Sequence, residues 1–179
     1  MNPSLVGSEM CIRDSQGGVA PHGGMVIAVG DDPTGKSSTL AYQSDQNFHS
    51  LGIPYFFPKN VSDIIPMGLE AFALSRYSGC CVGLKIVVDT ADSYAVVDMS
   101  KLRPSLPILT PNSLVHVTKH DPASVRESKL HDVRLPAVQT WCENSENVAQ
   151  VYLPAKKGET RLGIICLLYT SPSPRDSDS

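Results

Sequence analysis

A polar loop with two adjacent aspartates, a lysine and two serines is the part of this chain best equipped for chemistry. It spans residues 30–45 and reads GDDPTGKSSTLAYQSD. It follows the apolar run MVIAV at 25–29, which predicts a buried strand. Because ligands of α/β proteins bind at the carboxyl ends of parallel strands, and because helix N-termini favour anions, we predict a binding site at this loop.

One interpretation of the loop is a nucleotide-binding P-loop. Gly30, four further residues and Gly35-Lys36-Ser37 match the pattern G-x-x-x-x-G-K-[ST]. The apolar run IVVD at 86–89 ends in an acid, as does the strand that holds magnesium in such NTPases. The sequence alone therefore leaves a P-loop open.

The chemistry inside the loop counts against a P-loop. Such loops wrap phosphates with backbone N–H groups, and Pro33 removes one of these donors. Asp31 and Asp32 place two carboxylates where a polyphosphate would lie. Like charges about 4 Å apart cost about 1–4 kcal/mol, depending on the local dielectric. We therefore expect a ligand other than a triphosphate.

A second interpretation comes from a set of short motifs along the chain. Around the loop these are Gly23-Gly24, GDD at 30–32, KSSTL at 36–40 and QSD at 43–45. Further motifs are FALSRYSG at 72–79, VGLK at 82–85, RLPA at 134–137 and RLGI at 161–164. In this set the chain resembles the thiamine-dependent 2-oxoacid:ferredoxin oxidoreductases, and most closely the indolepyruvate ferredoxin oxidoreductases. The resemblance covers roughly residues 17–165 and weakens beyond residue 98.

The resemblance implies an enzyme that oxidatively decarboxylates aryl-2-oxoacids such as indolepyruvate. Coenzyme A would take the acyl group, and electrons would pass through iron–sulfur clusters to ferredoxin. Residues 16–98 would be the back half of the domain that holds the aminopyrimidine of thiamine diphosphate. The catalytic carboxylate and the diphosphate–magnesium site of the family would lie outside this chain. We thus expect no catalytic or metal-binding residue here, and an inactive fragment of a cytoplasmic enzyme that is oligomeric when intact.

Several residues of the loop are candidates for contact with substrate or cofactor. Lys36, Ser37 and Ser38 combine a cation with two hydroxyls, which suits the carboxylate of a 2-oxoacid, or coenzyme A. The alternative is that the serines only cap a helix and that the lysine is solvated. Asp31 and Asp32 are expected to brace the turn by accepting backbone N–H bonds.

Three more candidates flank this group. Gln43 and Asp45 would either contact and orient the residues that bind the ligand, or lie at the surface in contact with solvent. His22 stands beside the glycine pair and is expected near the same cleft. Histidine is a common acid–base group in enzymes, although the sequence offers His22 no partner.

The two ends of the chain differ from the rest. Residues 5–15 (LVGSEMCIRDS) and 166–179 (CLLYTSPSPRDSDS) resemble translated sequencing adapter, of the kind found at the ends of conceptual proteins from metagenomic assemblies. We therefore divide the chain into adapter-like tails at 1–15 and 166–179, a domain at 16–98, a connector at 99–160 and the start of a further domain at 161–165. The chain would then be an internal fragment of a longer protein.

The elements that position the loop follow from hydrophobic periodicity and turn residues. Strands are predicted at 25–29, 54–57, 81–88 and 162–165, and helices from Ser37 or Ser38 to near Gly52, from Ser62 to Tyr77 with Gly79 as its cap, and at 136–146. Ile65, Leu69 and Phe72 share one helical face and are predicted to be core. The alternation of strands and helices predicts an α/β fold with a parallel sheet and flanking helices, followed by an irregular connector.

Composition excludes several other classes of protein. The net charge is −3 without a basic stripe, so nucleic-acid binding has no electrostatic support. No apolar run reaches the ~18 residues that span a membrane. Cys80 and Cys81 are adjacent and there is no C-x-x-C, so we expect free thiols rather than zinc or iron–sulfur ligands. A non-catalytic α/β domain is the third interpretation that remains open.

Overall fold

The computed structural model of the chain describes residues 15–110, 112–118 and 120–145. The adapter-like tails, except residue 15, lie outside these ranges. So do the last part of the predicted connector, the segment at 161–165 and the strand predicted at 162–165.

A three-stranded parallel sheet forms the centre of the described residues, with the strand order β1-β3-β2. Its strands are β1 (Val26–Asp31), β2 (Tyr55–Phe56) and β3 (Val82–Val87). Val26 lies opposite Val82, and Tyr55 lies opposite Gly83. The predicted α/β class with a parallel sheet and flanking helices is confirmed.

The middle strand β3 is closely covered by aromatic side chains at Gly83. A Cβ atom added there would lie 2.8 Å from the ring of Phe48 and from the Cβ of Tyr55. Phe48 belongs to a short helix, α1 (Asp45–Ser50), and its ring stacks on Tyr55 with the centroids 5.0 Å apart. Only glycine permits this approach, so Gly83 lets α1 pack directly on the sheet.

Helix α1 begins later than the sequence predicted. The expected start at Ser37 or Ser38 is wrong, because residues 36–40 form bends and the helix begins at Asp45. The backbone N–H groups of Lys36, Ser37 and Ser38 all point to the carboxylate of Asp32. This convergence on one side chain curls the backbone and replaces the helix start.

The long helix α2 (Val61–Ser78) has clear end signals. Its N-cap is Asn60, whose side chain accepts from the backbone N–H of Asp63 at 3.2 Å, rather than the predicted Ser62. Gly79 ends the helix in the left-handed conformation with φ of 75°, as predicted.

The predicted core face of α2 is wrong. Ile65, Leu69 and Phe72 are 51%, 47% and 44% exposed, whereas Ala71 and Leu74 are buried. The core cluster consists of Ala71, Leu74, Val82 and Trp141. Periodicity identifies an apolar stripe on a helix but does not tell which of two such stripes meets the sheet.

The chain after β3 continues in short helical segments. These are α3 (Val88–Ala91), 3-10 turns at Met99–Lys101 and Ser113–Val115, α4 (Ala123–Lys129), a π-helical turn (Leu130–Arg134) and α5 (Leu135–Asn144). Helix α5 matches the prediction at 136–146 closely. The described helices contain no segment long and apolar enough to cross a lipid bilayer.

Two buried charged side chains attach the later segments to the earlier ones. Glu70 of α2 accepts from Trp141 Nε1 at 3.3 Å and from the Ser145 hydroxyl at 2.6 Å. Arg134 is fully buried and donates to the carbonyl oxygens of Val115 and residues 15–17. Helix α5 is thereby held on α2.

Candidate functional site

The loop after β1 is organised around the carboxylate of Asp32. Its Oδ1 accepts the backbone N–H of Lys36 at 2.9 Å, and its Oδ2 accepts those of Ser37 at 2.7 Å and Ser38 at 2.8 Å. The N–H groups, led by that of Ser37, hold the pKa of Asp32 well below its usual range. The expectation that this aspartate braces the turn is confirmed.

This arrangement bears directly on the P-loop interpretation. A P-loop binds phosphate with consecutive backbone N–H groups that face the ligand. Here the corresponding groups of Lys36, Ser37 and Ser38 already face an ionised side chain of the same loop. A phosphate would have to displace the Asp32 carboxylate, so the geometry disfavours nucleotide binding.

Lys36 extends from the loop to the end of the neighbouring strand. Its Nζ donates to Oδ1 of Asp89 at 3.2 Å, and its side chain is 55% exposed. Asp89 lies in α3, directly beyond β3. The pair therefore joins the carboxyl ends of β1 and β3 while the ammonium group stays accessible to solvent.

Asp31 closes the base of the loop. It accepts the backbone N–H of Ser44 at 2.8 Å and also the hydroxyl of Ser44. The backbone N–H of Tyr42 donates to the carbonyl of Asp32 at 3.0 Å. Both aspartates thus accept backbone N–H groups of the loop, as expected. The end of the loop, at Tyr42 and Ser44, lies next to the end of β1, where the loop begins.

A buried lysine that sequence reasoning missed connects the two ends of the loop. Lys85 of β3 lies 3.4 Å from Oδ2 of Asp31 and 2.5 Å from Oδ2 of Asp45, and its side chain is only 5% exposed. Its Nζ also lies 4.7 Å from the centroid of the Phe57 ring. The available signal was one charged residue inside the apolar run CVGLKIVV, since a buried lysine requires a partner.

Tyr55 extends this network towards the surface. Its hydroxyl donates to Oδ1 of Asp45 at 2.7 Å. Partial burial and the hydrogen bond to Asp45 raise the pKa of Tyr55 to about 12. Burial raises the pKa of Asp45, but the hydrogen bonds from Lys85 and Tyr55 outweigh it and leave that pKa below its ordinary value.

Two cavities flank the loop. A cavity of about 390 Å³ lies at the carboxyl ends of β1 and β3 and is lined by Ala28, Val29, Gly30, Asp31, Asp32, Ser37, Ser38, Ile86, Val88 and Ala91. A larger one, of about 1180 Å³, lies between α1 and residues 127–135 and includes Asp45 and Tyr55 in its wall. The loop therefore borders solvent-accessible space on both sides.

Six of the eight predicted site residues come together here: Asp31, Asp32, Lys36, Ser37, Ser38 and Asp45. Gln43 is exposed, and its side chain makes no hydrogen bond within the described part of the chain. His22 was expected near this cleft, which is wrong. It precedes β1 and lines a different cavity, at the opposite end of the strand.

The described residues do not form a metal centre. No group of three or more His, Cys, Asp or Glu side chains within residues 15–110, 112–118 and 120–145 is arranged to hold an ion. Asp31 and Asp32 direct their carboxylates to Lys85, Ser44 and the loop backbone. The Ser37 hydroxyl donates to Oδ2 of Asp32 at 3.4 Å, so the group of the loop that is left to bind an anion is the exposed Lys36 ammonium.

Comparison with known proteins gave no match: neither a family model, nor a curated protein, nor a solved structure matches this chain.

Proposed function

We propose that residues 16–98 are the back half of the pyrimidine-binding domain of an indolepyruvate-type 2-oxoacid:ferredoxin oxidoreductase. In this proposal the loop at 30–45 borders the space where the 2-oxoacid or coenzyme A binds. Support comes from the motifs GDD, KSSTL and QSD, and from their position on one loop at the carboxyl end of a parallel strand.

The observation that carries the proposal is that Asp31 and Asp32 hold the loop together whereas Lys36 stays accessible. Asp31 and Asp32 are occupied in binding the loop backbone and Lys85, so neither carboxylate is available as a ligand group. Lys36 is accessible, and within the described part of the chain its counter-ion is the partly exposed Asp89. A substrate carboxylate can replace Asp89 at the Lys36 ammonium without disturbing the loop.

The described residues do not fit the diphosphate–magnesium group of thiamine diphosphate, because no carboxylate set is arranged for the metal. They also do not fit an iron–sulfur cluster, since no group of three or more Cys or His side chains among them is arranged to hold a metal. We therefore assign to these residues recognition and positioning of the anionic substrate, and no step of the redox chemistry.

The P-loop remains the alternative because the fold brings Lys36 and Asp89 together on adjacent strand ends. That juxtaposition is what a phosphate-binding lysine and a magnesium-binding acid would need. The alternative requires Asp32 to leave the backbone N–H groups that it now binds. We regard it as the weaker function for that reason.

The test starts from the genomic sequence that flanks the coding region of residues 16–165. The proposal predicts an upstream strand–helix unit that carries an acidic residue, and clusters of cysteines in the same gene or a neighbouring one. The intact enzyme should reduce methyl viologen when supplied with indolepyruvate and coenzyme A. If the upstream strand–helix unit with its acidic residue and the cysteine clusters are both absent, the proposed family is contradicted.

A variant of that enzyme tests the role of the loop separately. Lys36→Met should raise KM for indolepyruvate or coenzyme A by roughly tenfold, because a charged hydrogen bond is lost. Lys59→Met, at another exposed lysine, is the matched control. If both KM values stay unchanged in Lys36→Met, the loop does not contact substrate even if the enzyme belongs to the family.

A further inference from the structure

A third cavity, with converging polar groups, lies at the other end of the sheet from the loop at 30–45. It has a volume of about 720 Å³ and is lined by Pro21, His22, Ala73, Arg76, Tyr77, Leu109, Asn112, Ser113, His116 and Trp141. None of these residues belongs to the loop at 30–45. Because β1 has six residues, at about 3.3 Å each, the two sites are roughly 20 Å apart.

The floor of this cavity is apolar and aromatic. The rings of Tyr77 and Trp141 lie 5.4 Å apart at an angle of 45°. Trp141 is buried, and its Nε1 donates to Glu70, so the plane of the indole is fixed. Ala73 and Leu109 complete a surface on which a flat apolar group can lie.

The rim carries cationic and hydrogen-bonding groups. Arg76 is exposed, and no carboxylate among the described residues pairs with it. His116 Nδ1 donates to the carbonyl of Val19 at 3.0 Å, which leaves Nε2 as the second polar atom of the ring. In the neutral ring that atom is an acceptor, so the groups that can donate to a carboxylate at the edge of the aromatic floor are Arg76 and His22.

The backbone at His22 is held in an unfavourable conformation. Its φ of 63° is the only positive φ of a non-glycine residue in the described chain. The turn is closed by the Gly23 N–H, which donates to Ala20 O at 2.8 Å, so His22 occupies a position that favours glycine. A glycine would fit the backbone better at position 22, and glycines follow directly at 23 and 24. The strained turn nevertheless places an imidazole at the cavity.

We propose that this cavity binds a small aromatic carboxylate, with the aromatic group on Tyr77 and Trp141 and the carboxylate on Arg76 and His22. The cavity lies within the size range of ligand pockets and combines an apolar surface with a few converging polar groups. The site is separate from the loop at 30–45 and does not depend on the function proposed for it.

The test uses the fluorescence of Trp141, the only tryptophan of the 179-residue chain. Titration with 3-phenylpropanoate should change that emission saturably, with a dissociation constant of about 1 mM. The neutral analogue 3-phenylpropanamide and the aliphatic anion propanoate should each bind at least about tenfold more weakly. Equal binding of the amide would overturn the proposal, because the Arg76 guanidinium would then play no part.

Variants place the ligand within the fold. Arg76→Gln should weaken 3-phenylpropanoate by about tenfold, whereas Lys59→Gln, at an exposed lysine that does not line the cavity, should leave the titration unchanged. The ring protons of His22 and His116, followed by NMR in the unaltered chain, should shift along the same binding curve. If Arg76→Gln does not fold, the NMR titration decides: saturable shifts of both rings support the site, and unmoved rings overturn it.

Discussion

The carboxylate of Asp32 accepts the backbone N–H of Ser37 at 2.7 Å, five residues ahead in the chain. The N–H groups of Lys36 and Ser38 donate to the same carboxylate. Although the loop matches a phosphate-binding motif, these three backbone donors are therefore already hydrogen-bonded within the loop. The accessible groups are then the side chains of the loop, not its backbone donors.

Replacement of Asp32 by asparagine should open this turn. One acceptor oxygen remains for three N–H groups, so the backbone amides of Lys36, Ser37 and Ser38 should exchange with deuterium on the order of tenfold faster. Hydrogen-exchange mass spectrometry or NMR provides the measurement. Asp92→Asn, at an exposed aspartate, is the control. Unchanged exchange in Asp32→Asn would mean that the carboxylate does not organise the loop.

Lys85→Met should be among the most destabilising single changes in the sheet. It leaves the buried Asp31 and the partly buried Asp45 without their shared cation, a loss of about 3–5 kcal/mol in the free energy of unfolding. Urea denaturation measures it. Lys36→Met, which removes an exposed ion pair, should cost about 1 kcal/mol or less. Equal losses in the two variants would show that Lys85 is not a buried partner of the aspartates.

The apolar stripe of α2 gives a test of which helix face meets the sheet. Leu69 is 47% exposed and Leu74 is 2% exposed. Leu69→Ala should change the free energy of unfolding by about 0.5 kcal/mol or less, whereas Leu74→Ala should lower it by about 2–5 kcal/mol. Thermal or urea denaturation of the two variants compares them. A larger loss in Leu69→Ala than in Leu74→Ala would mean that the face of α2 predicted from periodicity packs on the sheet after all.

The raised pKa of Tyr55 predicts how the free energy of unfolding changes at alkaline pH. Because its pKa is raised to about 12 from an unfolded value of about 10, its stabilising contribution is complete below pH ~10 and is lost as the pH rises to ~12. Tyr55→Phe should remove this part of the pH dependence, and the difference absorbance at 295 nm should show one phenol titrating near pH 12. Tyr94→Phe, at an exposed tyrosine, is the control. A Tyr55 phenol that titrates near pH 10 would contradict the hydrogen bond to Asp45.

Local signals in the sequence were sufficient for the strands and for the helix ends that glycine controls. The apolar runs give β1, β2 and β3, and Gly79 gives the end of α2, because these features depend on residues close together in the chain. The bracing role of Asp31 and Asp32 was also accessible, since short acidic side chains commonly bind nearby backbone N–H groups.

The remaining features depend on contacts between distant parts of the chain. Lys85 lies 40 residues from Asp45, so nothing near it in the sequence reveals its partner. His22 was placed beside the loop because both adjoin β1, but a strand separates its two ends by its full length. The start of α1 was missed because the side chain of Asp32 competes for the N–H groups that the sequence assigns to a helix.

The loop at 30–45 binds its own Asp32 carboxylate where a P-loop would bind phosphate. Isothermal titration calorimetry of the 179-residue chain with magnesium–ATP can therefore decide between the two. We expect no saturable binding up to about 1 mM nucleotide, which corresponds to about 4.1 kcal/mol of binding free energy. Micromolar binding that disappears in Lys36→Met would contradict it and establish the chain as a nucleotide-binding protein.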